Sequence, residues 1–203
     1  ETFQELVQKG LGGFLVRNME SYGILDTMGL TSRIVLDANI YTMNNRAEAF
    51  WMKKGILGDT VPLELNAKEL VHRNNKNSEL TVYGYTPMMV SVQCVQKTMD
   101  HCNHACVQYV LKDRYQKEFR GVCSCEFCYN TIYNTLPTSL LKEKEKAEKL
   151  GVKAYRLSFT IETQQETEKI VRAFVDVYLR GQKPDGQMQT EETTKGHFQR
   201  GVE

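Results

Sequence analysis

The sequence predicts an α/β chain built of parallel βα units, and three observations predict it. Short β-branched, apolar runs recur along the chain, helical segments with reciprocal caps lie between them, and strand starts fall regularly near 13, 32, 60 and 79. Strands buried on both faces of a parallel sheet are continuous apolar runs, because helices cover them on each side. The runs are "GFLVRN" (13–18), "SRIVLDAN" (32–39), "TVPLEL" (60–65), "ELTVYGY" (79–85) and "AYRLSF" (154–159). Helix starts are marked by Asn45 with Glu48, Asn66 with Glu69, and Thr163 with Glu166. At that spacing a cap side chain and a carboxylate each bond the other's backbone N–H. The last helix sets Ile170, Val171, Phe174, Val177 and Tyr178 on one face and stops near Gly181. "SLLKEKEKAEKL" ends at Gly151, and its Lys/Glu alternation reads as a solvated face. Trp51, in "AEAFWMKK", is read as a core or interface residue.

Units at this spacing suit an open doubly wound sheet or part of an eight-stranded barrel. No GxGxxG or GxxxxGK(S/T) follows the first strand, so a nucleotide fold has no phosphate loop to support it. The chain opens on Glu1 inside a helical pattern (Phe3, Leu6, Val7), which reads as the interior of a longer protein. The expected architecture is therefore the C-terminal half of a TIM-barrel-like fold with a cysteine-rich insertion. The expected divisions are βα units over 1–93, a cysteine-rich metal-binding insertion over 94–136, final helix-strand-helix units over 137–181, and a polar loop and basic tail over 182–203.

A 203-residue chain with 41% hydrophobic residues can bury a real core. A net charge of +1 gives no global field toward nucleic acid or anionic membrane. No apolar run approaches the roughly 20 residues of a membrane span, and no signal peptide opens the chain.

All six cysteines fall between Cys94 and Cys128, inside the gap of about 75 residues that separates the fourth strand start from the fifth. Clustered thiols in an otherwise thiol-free α/β chain point to metal more than to a disulfide scaffold, and to a reducing, cytoplasmic location. The CxxC of "CEFC" (125–128) lets two thiolates of one turn reach one ion, and a pair from a distant segment completes four. Four sulfurs suit zinc or an iron–sulfur cluster alike. His101 and His104 flank Cys102 as further possible ligands or plain loop residues.

Polar residues near strand ends are Arg17, Asn18, Asp37, Asn39, Glu64, Tyr83, Tyr85 and Arg156, where a barrel keeps its site. Glu64 and Arg156 stand out as catalytic candidates, because each interrupts an apolar strand and a buried charge needs a partner. No GxSxG or HExxH is present, and Ser91 and Ser158 read as packed hydroxyls. The tail "TKGHFQRGVE" mixes Lys195, His197 and Arg200 with Phe198, a composition that suits RNA contact or a mobile solvated end.

The motifs "YGYTPMMVSVQC", "LKDRYQKEF", "CEFCYNTIYNTLP", "YRLSFT" and "TKGHFQRGVE", in that order, resemble the collagenase-like peptidase family, the thirty-second among peptidases of unassigned catalytic type. The likeness covers roughly residues 80 to 203. It implies that this chain is the C-terminal portion of a longer protein, partnered by the N-terminal half of its own chain. It also implies a four-iron four-sulfur cluster on Cys94, Cys102, Cys125 and Cys128, with Cys106 and Cys123 in reserve. The chemistry so implied is oxygen-independent hydroxylation, with RNA the favoured substrate. Pro87 stands where ubiquinone-type relatives have a cysteine, which argues against that branch. The alternatives are a peptidase, as the family name says, and a binding module stapled by zinc.

Overall fold

The structure, a computed structural model, describes residues 2–99, 102–184 and 192–201. Helix α1 (Thr2–Gln8) precedes β1 (Phe14–Val16), α2 (Met19–Thr27), β2 (Ile34–Leu36), α3 (Asn45–Lys53), β3 (Gly58–Thr60), α4 (Ala67–Leu70) and β4 (Ser78–Gly84). There follow β5 (Pro87–Ser91), α5 (Val95–Thr98), β6 (Gln108–Lys112), β7 (Glu118–Ser124), β8 (Tyr129–Tyr133) and β9 (Thr138–Ser139). Helix α6 (Lys144–Glu148), β10 (Ala154–Ser158) and α7 (Gln164–Phe174) complete the series, and α7 runs on through a π-helical turn over Val175–Leu179. Strands β1, β2, β3, β4 and β10 lie in that order in a curled parallel sheet, with β9 antiparallel on the end of β4. The chain is thus mixed α/β with parallel βα units. It forms two compact units, one of Glu1–Thr81, Glu143–Arg156 and Lys195–Glu203, the other of Val82–Lys142 and Leu157–Thr194.

In the first unit, β1 and β2 bury Val16, Ile34 and Leu36 against Tyr22 and Leu25 of α2 and Trp51 of α3. Trp51 meets Tyr22 edge to face at 4.8 Å, so it is a core residue. The third strand departs from expectation. It is Gly58–Thr60, and "TVPLEL" is strand only at its first residue. Val61 N still donates to Glu79 O, but Pro62 has no N–H to continue a ladder. Val61 is buried just past the end of β3, so the apolar run continues beyond the strand. Glu64 therefore lies beyond the strand rather than within it.

Asp59 and Thr60 point to opposite faces of β3. Asp59 forms an ion pair with Arg73, their side chains only 1% and 2% exposed. Arg73 Nε donates to Thr42 O at 2.8 Å, and its terminal nitrogens reach Asn75 Oδ1, Ser78 Oγ and Thr42 Oγ1 at 2.9–3.0 Å. Ser78 Oγ donates to the other Asp59 oxygen at 2.6 Å. A guanidinium buried with its donors engaged is the condition under which a buried pair is tolerable.

Capping follows the sequence at two helices and shifts at a third. Asn66–Glu69 and Thr163–Glu166 form full reciprocal boxes. At α3 the cap is Asn44, which accepts from Arg46 N and Ala47 N, while Asn45 donates to His72 O and accepts from Asn74 N. On α7 the buried residues are Ala173 and Phe174, with Val177 on the following turn, whereas Val171 is exposed. Gly181 takes φ +71° where the helix stops.

The Lys/Glu segment is only partly a solvated face, and the tail is anchored. Glu143 is buried and ion-paired to Lys146 at 2.6 Å and to Lys195. Phe198 is buried, and His197 Nδ1 lies 2.9 Å from Gly201 O. Burial alone would raise the Glu143 pKa, but the hydrogen bonds from Lys146 and Lys195 outweigh it and hold the carboxyl below its ordinary value. A depressed carboxylate contributes stability above its unfolded value, near 4.3, and loses it as pH falls through the folded value. Glu143→Gln should therefore lower stability at neutral pH by about 1.5–3 kcal/mol. In a urea-denaturation series the gap between variant and parent should begin to close only as pH falls below about 4.3, and vanish once pH is below the lower folded value.

Candidate thiolate centre

Residues 87–133, which take in the end of the expected βα units over 1–93 and most of the expected insertion over 94–136, fold in the second unit into an antiparallel sheet of order β5-β8-β7-β6. Register places one set of side chains on one face. Met89 pairs with Ile132 and Ser91 with Asn130; Ile132 pairs with Gly121 and Asn130 with Cys123; Gly121 pairs with Tyr109. Gly121 is needed because the Tyr109 ring lies across it: a Cβ there would stand 2.3 Å from Tyr109 Cζ.

Cys94 ends the segment that leaves β5 and sits at the cap position of α5. Its Sγ is 3.7 Å from Cys123 Sγ, and Cys123 Sγ is 3.4 Å from Cys125 Sγ. The "CEFC" segment is the hairpin turn between β7 and β8, with Phe127 N bonded to Ser124 O and Cys128 at φ +51°. Cys102, Cys106 and Cys128 are exposed, and Cys128 Sγ lies 3.7 Å from Cys125 O. The structure thus brings together two of the four expected ligands, Cys94 and Cys125, and joins to them Cys123, one of the two reserves. Cys102 and Cys128 stand outside this trio. His104 is exposed, and His101 lies outside the described residues.

The fit to a metal can be tested on these atoms. Tetrahedral thiolates about 2.3 Å from zinc lie roughly 3.8 Å from one another, close to the two separations found. The donor chemistry, thiols without a carboxylate among them, suits a thiophilic ion or an iron–sulfur cluster. Among the described residues, however, no three His, Cys, Asp or Glu side chains surround a common point as a finished site. The fit is in donor type and in the two pairwise spacings alone.

The thiols differ in acidity. Burial, and then the neighbouring Cys125 and Cys94, push Cys123 up to about 12. Cys94 is held below its ordinary value, chiefly by the Lys97 backbone N–H. Tyr109 is raised, by burial first and then by the charges of Cys123 and Cys94.

Three of the eight strand-end candidates, Arg17, Asp37 and Arg156, meet in the first unit. Register aligns Arg17, Asp37 and Thr60 with Glu79, and Arg156 joins the row. Arg17 Nε is 3.0 Å from Asp37 Oδ2, and Arg156 reaches Asp37 Oδ1 and Thr60 Oγ1 at 2.8 Å each and forms an ion pair with Glu79. Arg156, one of the two catalytic candidates, is therefore a paired group. Glu64, the other, does not join the row, and among the described residues its buried Oε2 lacks a hydrogen-bond partner. Asn18 caps α2, Asn39 is exposed, and Tyr83 and Tyr85 are buried in the second unit. Ser91 Oγ accepts from Gln93 N at 3.2 Å, a local and exposed bond.

Sequence reading missed Tyr109, Asn130 and the Asp59–Arg73 pair. The signal for the first two was period-2 burial along β6 and β8, which a search for parallel strands passes over. Among the described residues no helix is long and apolar enough to cross a membrane. No family model, curated protein or solved structure matches the chain, so the likeness to the collagenase-like peptidase family rests on its motifs.

Proposed function

We propose that the cysteine-bearing sheet is a thiolate centre for an iron–sulfur cluster, in the C-terminal half of a TIM-barrel-like protein of the collagenase-like peptidase family. The observation that carries this reading is the meeting of Cys94 with Cys123 and Cys125 across 29 residues of chain. In this reading Cys94, Cys123 and Cys125 hold the group, Cys102 or Cys128 supplies the fourth sulfur, and Cys106 stays in reserve. Bound there, a four-iron four-sulfur cluster would supply electron transfer for oxygen-independent hydroxylation, with RNA the substrate that the resemblance favours.

The chain's own residues divide the work. Cys94 is held below its ordinary value and so is more acidic than Cys123. Cys123, pushed up to about 12, gives up its proton only against the charge of a bound metal. Metal uptake should therefore release protons and weaken as pH falls. The N-terminal half of the chain would complete the barrel around the row from Arg17 to Arg156.

The peptidase alternative requires a nucleophile set against a base. His197 is held by the carbonyl of Gly201, and His104 is exposed, which gives that alternative less support. The zinc-stapled module requires only the same thiols. Full-length protein purified without oxygen should carry iron and acid-labile sulfide with a broad absorbance in the visible blue. Stoichiometric zinc that survives air would favour the binding module. Cleavage of collagen that persists after loss of Cys94 and Cys128 would favour the peptidase.

A further inference from the structure

We infer that Cys94, Cys123 and Cys125 also form a thiol–disulfide relay: in the metal-free chain a small disulfide such as oxidised glutathione enters at Cys125 and leaves a Cys94–Cys123 bond. The sulfurs are placed for it. Cys123 Sγ lies 3.4 Å from Cys125 Sγ and 3.7 Å from Cys94 Sγ, so exchange within the trio passes through it. Exposure sets the order. Cys125 is half-buried, whereas Cys94 is 7% exposed and Cys123 0%. A tripeptide disulfide therefore reaches Cys125 before the two thiols behind it. Cys94 opens α5, a helix of only 4 residues whose cap makes no side-chain hydrogen bond. Little structure has to move to bring its sulfur to the roughly 2.05 Å of a disulfide.

Each step exchanges one sulfur–sulfur bond for another. Cys125 Sγ attacks oxidised glutathione; a Cys125–glutathione bond forms, and one reduced glutathione leaves with the thiol's proton. Cys123 Sγ then attacks Cys125 Sγ, and the second glutathione leaves with the Cys123 proton. Last, Cys94 Sγ attacks Cys123 Sγ, and Cys125 departs with the Cys94 proton. Cys94 and Cys123 have together lost two electrons and two protons, and one oxidised glutathione has become two reduced ones. The last step is favoured by backbone geometry. Cys123 and Cys125 are separated by Ser124, a strand residue. Extended backbone sets their Cα atoms about 6.6 Å apart, near the far limit for a bridge. A cross-linked trio has lost two of its thiolates, so it should not take metal. That consequence rests on the proposed thiolate centre, whereas the relay rests on the sulfur distances.

The test uses the full chain, stripped of metal with a chelator, incubated with oxidised glutathione, alkylated, digested and weighed. The expected product joins the peptides of Cys94 and Cys123, with Cys125 alkylated. Cys125→Ser should lose that product over the same time, and Cys106→Ser should keep it. Glutathione that stays on Cys125, a bond that stops at Cys123–Cys125, a cross-link to Cys102, Cys106 or Cys128, or undiminished product in Cys125→Ser would each overturn the inference. Zinc uptake separates the relay from the metal reading. Reduced protein should bind zinc, and cross-linked protein none until a reductant restores its thiols. Equal uptake by both forms would overturn the consequence for metal. No uptake by the reduced form, with the cross-link still made, would overturn the thiolate centre and leave the relay standing.

Discussion

Replacing Arg73 with alanine should cost the first unit about 3–5 kcal/mol, the largest stability effect expected of a single substitution in this chain. The loss is not the value of one ion pair. It is the penalty of leaving Asp59, 1% exposed, with only the hydroxyls of Thr42 and Ser78 to oppose its charge. Asn75 Oδ1 and the Thr42 carbonyl lose a donor in the same step. The reverse change, Asp59→Ala, should be as harmful, because it strands a guanidinium that cannot be neutralised. Replacing both residues with apolar ones of similar volume should recover most of the loss. Urea melts of the two single variants and the double variant give the coupling directly. Additive losses would mean that the pair is not a unit.

The second large effect belongs to the thiols. Cys123→Ser should lower metal affinity more than about 100-fold, beyond the roughly 10–100-fold typical of an outer-shell change. Cys123 stands between Cys94 and Cys125 and is the sulfur common to both contacts. Cys94→Ser and Cys125→Ser should each remove metal too. Cys106→Ser, an exposed thiol outside the trio, should leave metal content near that of the parent. Metal analysis of the four variants, prepared without oxygen, checks the ordering. Loss at Cys106 with retention at Cys123 would replace the ligand set.

Much of the first unit was legible because burial and backbone pairing coincide there. Val16, Ile34 and Leu36 are both strand residues and core residues, so an apolar run marks each strand. Where the two separate, reading fails. Val61 makes the last bond to β4 and Pro62 is buried with no N–H to continue it, so the apolar run reads as a longer β3 that takes in Glu64. Asn44 and Asn45 are equivalent by type, and the neighbouring His72–Asn74 segment decides between them by claiming Asn45. Long-range ion pairs such as Asp59–Arg73 and Glu143–Lys195 carry no local spacing at all. The cysteine window stands out by composition, but which of its thiols meet depends on strand register. Cys123 and Asn130 face each other only because β7 and β8 turn at "CEFC".

X-ray absorption at the metal edge of the protein, purified without oxygen, shows whether Cys94, Cys123 and Cys125 share one inorganic centre. A first shell of sulfur alone, near 2.3 Å and lost in Cys123→Ser, is the expected result. A first shell of nitrogen and oxygen, or a sulfur shell unchanged in that variant, would contradict it.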